Sequence, residues 1–259
     1  MNGDQGIGLF NLHGRVALVT GGSKGLGLSM AEGLASAGAT IVIVNRNKDE
    51  GVEAAKKIKN MFGVDVVALQ ADVSDEGQVN AMIKNAVEHF GQIDILINNA
   101  GISARGPIDQ MALADFQQVL DVNVTGVWLC TKAVVPYMKK RQRGRIINIG
   151  STLSIVGYPE RSPYTASKGA VTQMTKGLAL ELAPWNITVN AICPGPFLTE
   201  MSKSSAKDPA VNDMIISSTA LGRWGDLIEI QGIAIYLASD ASSYTTGALM
   251  SVDGGWVAK

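Results

Sequence analysis

Seven short apolar runs rich in β-branched residues recur along the chain, at 15–20, 39–45, 64–70, 93–99, 145–150, 187–193 and 248–253. "ATIVIVN" and "IDILINN" are typical, apolar almost throughout rather than alternating. Strands read that way when helices cover both faces of their sheet, as in parallel sheets. The stretches between them, such as "LGLSMAEGLASAG" and "DEGQVNAMIKNAVEHFG", carry apolar residues at helical spacing and end in glycine, a common helix stop. This alternation predicts an α/β fold, a doubly wound parallel sheet of about seven strands with helices on both faces.

No Pro-, Ser- or charge-rich linker and no repeat of fixed period interrupts the alternation, so residues 1–259 read as one domain. The polar stretch 194–225 is longer than an ordinary connection. It follows a strand, where open α/β sheets bind ligands, and is expected to cover a substrate.

A hydrophobic content of 46% and a charged content of 17% permit a substantial core. The net charge of -1 argues against a nucleic-acid or membrane surface, and no apolar run approaches the ~18 residues of a membrane span. Cys130 and Cys193 read as buried thiols, and His13 and His89 lack metal-ligand spacing. With no basic, apolar leader in "MNGDQGIGLF", the expected compartment is the cytoplasm, and no metal is expected.

Between the first strand and the first helix stands "TGGSKGLG", with Gly21, Gly25 and Gly27 spaced G-x-x-x-G-x-G. Missing side chains let such a turn approach a pyrophosphate, while the helix N-terminus offers it amides and positive dipole. Gly21, Ser23, Lys24, Gly25, Leu26 and Gly27 are therefore the first cofactor-binding candidates. At the end of the second strand, where an acid would hold the ribose of NAD, the chain reads "IVIVNRNK". Asn45 and Arg46 stand there instead, and with Lys24 nearby the pattern favours a 2′-phosphate, hence NADP(H) over NAD(H).

In "SPYTASKGA" Tyr164 and Lys168 lie four apart, on one face if the stretch is helical. A phenol titrates at ~10, and a nearby ammonium is expected to lower that value. Tyr164 then donates a proton to a developing alkoxide, or its phenolate removes one. Ser151, thirteen residues earlier at the end of the fifth strand, can orient a carbonyl oxygen. Taken singly, Ser151 also reads as a turn hydroxyl.

The set "TGGSKGLG", Asp72–Val73, "NNAG" at 98–101, Asn123 in "VNVTG", Ser151, "YTASK" and "PG" at 194–195 resembles the short-chain dehydrogenase/reductase family over nearly the whole length. That resemblance implies hydride transfer to or from a carbonyl carbon by a tetrad of Asn123, Ser151, Tyr164 and Lys168. It implies adenine contacts from Asp72 and Val73, and ribose contacts from Asn99, Ala100, Gly101, Tyr164 and Lys168. Contacts on the nicotinamide side fall to Pro194, Gly195 and Thr199. Asn123 has a structural alternative as a buried amide, and Asp72 as a cap for the helix near "SDEGQ". A homotetramer is also implied, built through helices near 111–140 and 164–183 and through the last strand region.

"RWG" at 223–225 and the terminal "DGGW" resemble the gluconate 5-dehydrogenase and 2-keto-3-deoxygluconate dehydrogenase branch, and Arg105 falls where that branch places an arginine. A sugar acid such as gluconate or 5-ketogluconate is the substrate this implies, with Arg105, Ser151, Leu153, Tyr158, Tyr164 and Met201 as its candidate contacts. Two other reductases stay open. One acts on a 3-oxoacyl chain carried by a protein that docks on Lys139, Lys140, Arg141 and Arg143; the other is a broad carbonyl reductase with a pocket including Leu153, Ile155, Val156, Tyr158 and Met201. A dinucleotide-binding regulator without turnover is the remaining class, and it would be expected to lack Tyr164, Lys168 or Ser151.

Overall fold

A computed structural model describes residues 5–199 and 202–258. The seven apolar runs form seven strands: β1 (Val16–Thr20), β2 (Thr40–Asn45), β3 (Val66–Gln70), β4 (Ile95–Asn98), β5 (Gly144–Ile149), β6 (Ile187–Pro194) and β7 (Leu249–Val252). They build one parallel sheet in the order β3-β2-β1-β4-β5-β6-β7. Alternate side chains of each strand enter opposite cores. Ala17, Val19, Ile41 and Ile43 meet Met30, Leu34, Ile58 and Leu237 on one face; Leu18, Val42, Val44 and Leu96 meet Ile83, Val134 and Leu182 on the other. Fully burying each such aliphatic side chain contributes about 1.5–3 kcal/mol, so the apolar runs have no solvent-facing side to spare.

Helices α1 (Gly25–Ser36), α2 (Lys48–Phe62), α3 (Glu76–Phe90), α4 (Leu113–Leu120), α5 (Gly126–Arg141) and α6 (Ser162–Leu182) connect the strands, and α7 (Lys203–Ala206), α8 (Pro209–Ser218) and α9 (Gln231–Ala238) follow β6. Val79, Met82, Ile83 and Ala86 place the buried stripe of α3 at helical spacing. Asp75 caps that helix by accepting from the Gln78 amide, and left-handed Gly91 ends it. The cap is thus Asp75 and not Asp72, whose carboxylate turns to Ser74.

Between α4 and α5 the chain makes a π-helical turn, Asp121–Thr125, so Leu113–Arg141 is one continuous helical stretch long and apolar enough to cross a membrane. Scattered charges such as Asp115, Asp121 and Lys132 hide it from a search for an unbroken apolar run. Its apolarity is accounted for by packing, since α5 lies against α3, β4 and β5.

The order of strands reverses between β1 and β4. Open α/β sheets bind ligands in the crevice beyond the carboxyl ends of the two strands at such a point.

Candidate active site

Every expected site residue that the structure describes follows the carboxyl end of a strand or lies on an element leading from one. Met201 falls outside the described residues. The glycine turn after β1 and the segment after β4 flank the crevice and are bonded to each other. Asn99 donates its side-chain amide to the carbonyls of Thr20 and Gly21, both at 3.0 Å, while the Thr20 hydroxyl receives the backbone amides of Asn99 and Ala100. Gly21 has φ 62° and Gly25 φ 57°, the left-handed region that favours glycine. A Cβ at Gly27 would collide with the Gly21 carbonyl and the Asn99 side chain, so the turn is closed by direct backbone packing.

Lys24 leads into α1 without any side-chain cap, which leaves the first amides of that helix facing the crevice. Thr199, from the segment after β6, stands over the turn, its Cγ2 at 3.8 Å from where a Cβ of Gly25 would lie. Ser23 and Leu26 are half-buried within the turn. Bare amides, a glycine floor and a helix N-terminus fit a dinucleotide pyrophosphate.

At the end of β2, Asn45 is half-buried and Arg46 exposed, and the backbone carbonyl of Arg46 takes a hydrogen bond from Gln70. Lys24 is engaged by an acid that the sequence reading passed over. Its Nζ lies 3.4 Å from Glu50 Oε2, and Ser23 Oγ lies 3.5 Å from the same oxygen. Both side chains line a cavity of about 400 Å³ together with Leu28, Glu53, Ala54 and Lys57. After β3, Asp72 accepts from the amide and hydroxyl of Ser74 through Oδ1, at 2.9 and 2.6 Å, which leaves Oδ2 for another partner. Val73 is buried and packs on Gly126. Pro194 is buried at the end of β6, and Gly195 has the backbone of Asp253 where a side chain would go.

The four residues of the expected tetrad come together from three elements. Ser151 ends the run after β5 and starts a short 3-10 turn; its Oγ accepts from the Leu153 amide at 3.1 Å and its hydroxyl faces the Tyr164 phenol. Ser154 fixes this turn to α6, donating to the Lys168 carbonyl at 3.0 Å while receiving the Ser151 amide. Tyr164 and Lys168 lie on one face of α6, with Lys168 Nζ 5.6 Å from the phenol ring centre. Asn123 sits in the π-helical turn, fully buried, where a local widening of the helix re-aims a side chain. Its amide exchanges hydrogen bonds with the backbone of Ile102 and donates to Ser167 at 3.0 Å, joining the segment after β4 to the helix of Tyr164.

The electrostatics differ from the expected picture in one respect. Burial raises the Tyr164 phenol above its ordinary value, and the pull downward comes from the Ser151 hydroxyl and from the charge of Arg161, not from Lys168. Lys168 instead donates to the Ile149 carbonyl at 2.7 Å, and burial brings its ammonium down to about 8. At neutral pH the site therefore holds a protonated phenol beside a charged but easily discharged lysine.

Around the mouth, Arg105 pairs with Glu160 at 3.2 Å, and Tyr158 donates to the Met214 sulfur of α8 at 3.7 Å. Leu153 and Val156 are half-buried and Ile155 is 49% exposed. Ser103, Glu160 and Arg161 belong to this mouth and were not singled out from the sequence. Arg161 had one available signal, its position three residues before Tyr164.

A parallel sheet with a glycine turn at its switch point, and a serine, tyrosine and lysine converging beside it, defines a dinucleotide-dependent oxidoreductase acting on alcohol and carbonyl groups. The chain belongs to the short-chain dehydrogenase family, whose model it matches over residues 15–210. It is 39% identical to a 2-dehydro-3-deoxy-D-gluconate 5-dehydrogenase of Formosa agariphila, over 97% of this chain and 96% of that one. It is 40% identical to a 3-oxoacyl-[acyl-carrier-protein] reductase of Synechocystis sp., over 95% and 98%. Among solved structures, a gluconate 5-dehydrogenase from Burkholderia cenocepacia J2315 in complex with NADP and tartrate superimposes with a TM-score of 0.94 at 40% identity, over 97% and 98% of the two chains.

Proposed function

We propose that the protein is an NADP(H)-dependent oxidoreductase interconverting a secondary alcohol and a ketone on a sugar acid of the gluconate/5-ketogluconate kind, with Tyr164 as proton donor and acceptor. The observation that carries this reading is the convergence of Ser151, Tyr164 and Lys168, with the Ser151 hydroxyl bonded to the Tyr164 phenol and Lys168 Nζ 5.6 Å from its ring centre. When bound, the nicotinamide supplies or accepts the hydride. Ser151 donates to the substrate oxygen and orients it, Tyr164 delivers the proton in reduction, and its phenolate takes one in oxidation. The Ser151 hydroxyl and the Arg161 charge favour this phenolate, Lys168 binds the ribose hydroxyls, and Asn123 keeps the segment after β4 in register with α6.

Gly21, Ser23, Gly25, Leu26 and Gly27 would hold the pyrophosphate side of the cofactor, with Lys24 beside them turned to the 2′-phosphate. Asn45 and Arg46 would meet the 2′-phosphate, Asp72 and Val73 the adenine, Asn99, Ala100 and Gly101 the ribose, and Pro194, Gly195 and Thr199 the nicotinamide. The absence of an acid at Asn45 and the exposed guanidinium of Arg46 support NADP(H), as does the NADP bound by the Burkholderia relative.

Arginines at the mouth and the tartrate bound by that relative support an acidic substrate, lined by Leu153 and Tyr158. The carrier-protein alternative is the weaker one on position. Lys139, Lys140 and Arg141 form the last turn of α5 and Arg143 follows it, at the end of the sheet away from Ser151, and Arg141 and Arg143 already face Asp94 and Asp240. The Tyr158–Met214 contact supports segment 194–225 as a cover for the substrate. Exposed Ile108, Leu113, Trp128 and Leu180 on or beside α4, α5 and α6 support a homotetramer packed through these helices, and two buried free thiols suit the cytoplasm.

The test is NADPH consumption and NADP+ reduction across 5-ketogluconate, gluconate, a 3-oxoacyl thioester and simple ketones, with NADH and NAD+ alongside. Turnover dominated by the sugar acids is expected; equal, low turnover on many apolar ketones overturns the substrate assignment. Tyr164→Phe should abolish turnover and leave NADPH binding nearly intact.

A further inference from the structure

Two segments far apart in the chain are fastened together at the mouth of the site. The Gly106 amide donates to the Glu160 carbonyl at 3.1 Å, Arg105 Nε donates to Glu160 Oε2 at 3.2 Å, and Arg161 Nη1 donates to Ser103 Oγ at 2.9 Å. Glu160 is held at φ 59°, a left-handed conformation that costs a residue other than glycine about 1–3 kcal/mol. The neighbouring side chains part there: Glu160 meets Arg105 and Arg161 meets Ser103.

The two arginines consequently differ in what they can offer a ligand. Arg105 is already matched by a carboxylate, and a second anion would have to compete with Glu160 for it. Arg161 has no carboxylate partner among the described residues; its described bond goes to a neutral hydroxyl. It is half-buried, where a charge interacts more strongly than in open water, and it stands at the N-cap of α6, three residues before Tyr164. Its charge also reaches the reacting end of the site, since it helps to lower the Tyr164 phenol.

We infer that Arg161, and not Arg105, reads the carboxylate of the substrate, with Ser103 steering its guanidinium and Glu160 withholding its neighbour. The inference rests on the sugar-acid reading given above. A planar guanidinium with donors unengaged is suited to a bidentate carboxylate. With the substrate oxygen fixed between Ser151 and Tyr164, the acid group at the far end of the molecule points to the mouth where Arg161 stands.

The experiment compares kcat/KM for 5-ketogluconate and for its uncharged methyl ester in the wild-type enzyme, Arg161→Met, Arg161→Lys and Arg105→Met. The wild-type enzyme should prefer the acid. Arg161→Met should reduce that preference about tenfold or more, chiefly through KM for the acid, Arg161→Lys should restore part of it, and Arg105→Met should keep most of it. A wild-type enzyme that does not distinguish acid from ester overturns the sugar-acid reading and the inference with it. A wild-type preference that survives in Arg161→Met, or a variant that loses acid and ester turnover equally, overturns the inference alone.

Discussion

The ammonium of Lys168 donates to the carbonyl of Ile149 at 2.7 Å, so the cation beside Tyr164 is anchored to the end of the strand that leads to Ser151. One bond thereby sets the spacing between the strand of one catalytic candidate and the helix of two others. It also requires a charge to be kept in the interior.

That charge makes the apoprotein less stable than it could be. Burial lowers the Lys168 pKa from its ordinary 10.5 to about 8, which corresponds to about 3 kcal/mol against the charged form. Replacing it by methionine removes this penalty but leaves the Ile149 carbonyl without its donor, at about 1–3 kcal/mol, on average the smaller of the two. Lys168→Met should therefore raise Tm by a few degrees at pH 7 while removing turnover. Between pH 8 and 10.5 the unfolded chain binds a proton that the folded chain has lost, so wild-type stability should rise with pH across that window. The advantage of the variant should shrink accordingly; thermal melts of both proteins at pH 7 and pH 10 check it.

Directional pH profiles follow from the same pair. Tyr164 is protonated at neutral pH because burial raises its phenol, and Lys168 is charged below about 8. Ketone reduction needs both protons in place, so its kcat/KM for NADPH, which reports groups of the free enzyme, should be level to about pH 8 and fall above it. Alcohol oxidation needs the phenolate and should climb over the same range. A reductive profile unchanged between pH 8 and 9.5 would remove Lys168 from the titrating site.

Gly27 tests how closely the cofactor turn is built. A methyl group there meets the Gly21 carbonyl and the Asn99 amide, both fixed by hydrogen bonds to β1 and the segment after β4. Neither can retreat without opening the crevice, so Gly27→Ala should weaken NADPH binding by more than tenfold and lower Tm, as overpacking commonly costs about 1–3 kcal/mol. Fluorescence titration of NADPH measures the first effect and a thermal melt the second.

Much of this arrangement was legible in the chain because the relevant forces act locally. Short β-branched runs without polar alternation read as strands covered on both sides, and all seven became strands within two residues of their expected limits. Tyr164 and Lys168 share a face because helical spacing decides it. What the sequence could not disclose are contacts between segments brought together by the fold. Glu160 meets Arg105 across 55 positions, Arg161 meets Ser103 across 58, and Glu50 meets Lys24 across the glycine turn. The direction of the Tyr164 pKa was misjudged for a related reason, since proximity to a cation is visible in spacing whereas burial is a property of the finished core. The π-helical turn that aims Asn123 has no sequence mark at all in "DVNVT".

Glu50 gives the sharpest test of cofactor choice. Its carboxylate lies against Lys24 and Ser23 beside the glycine turn, where the 2′-phosphate of NADP would be drawn by Lys24 and Arg46. An anion in that position competes for the lysine and repels the incoming phosphate, so it restrains the preference that Arg46 creates. Two unit charges 4 Å apart in water interact by about 1 kcal/mol, equivalent to about fivefold in affinity. Glu50→Gln should accordingly tighten 2′,5′-ADP by about fivefold and leave 5′-AMP nearly unchanged. Stability should barely move, because the Lys24–Glu50 pair is exposed. Titrations of both nucleotides against both proteins separate the two assignments involved. If the wild-type protein binds 5′-AMP as tightly as 2′,5′-ADP, the NADP(H) assignment is wrong. If it prefers 2′,5′-ADP and the substitution changes nothing, Arg46 sets the preference and Glu50 has no part in it.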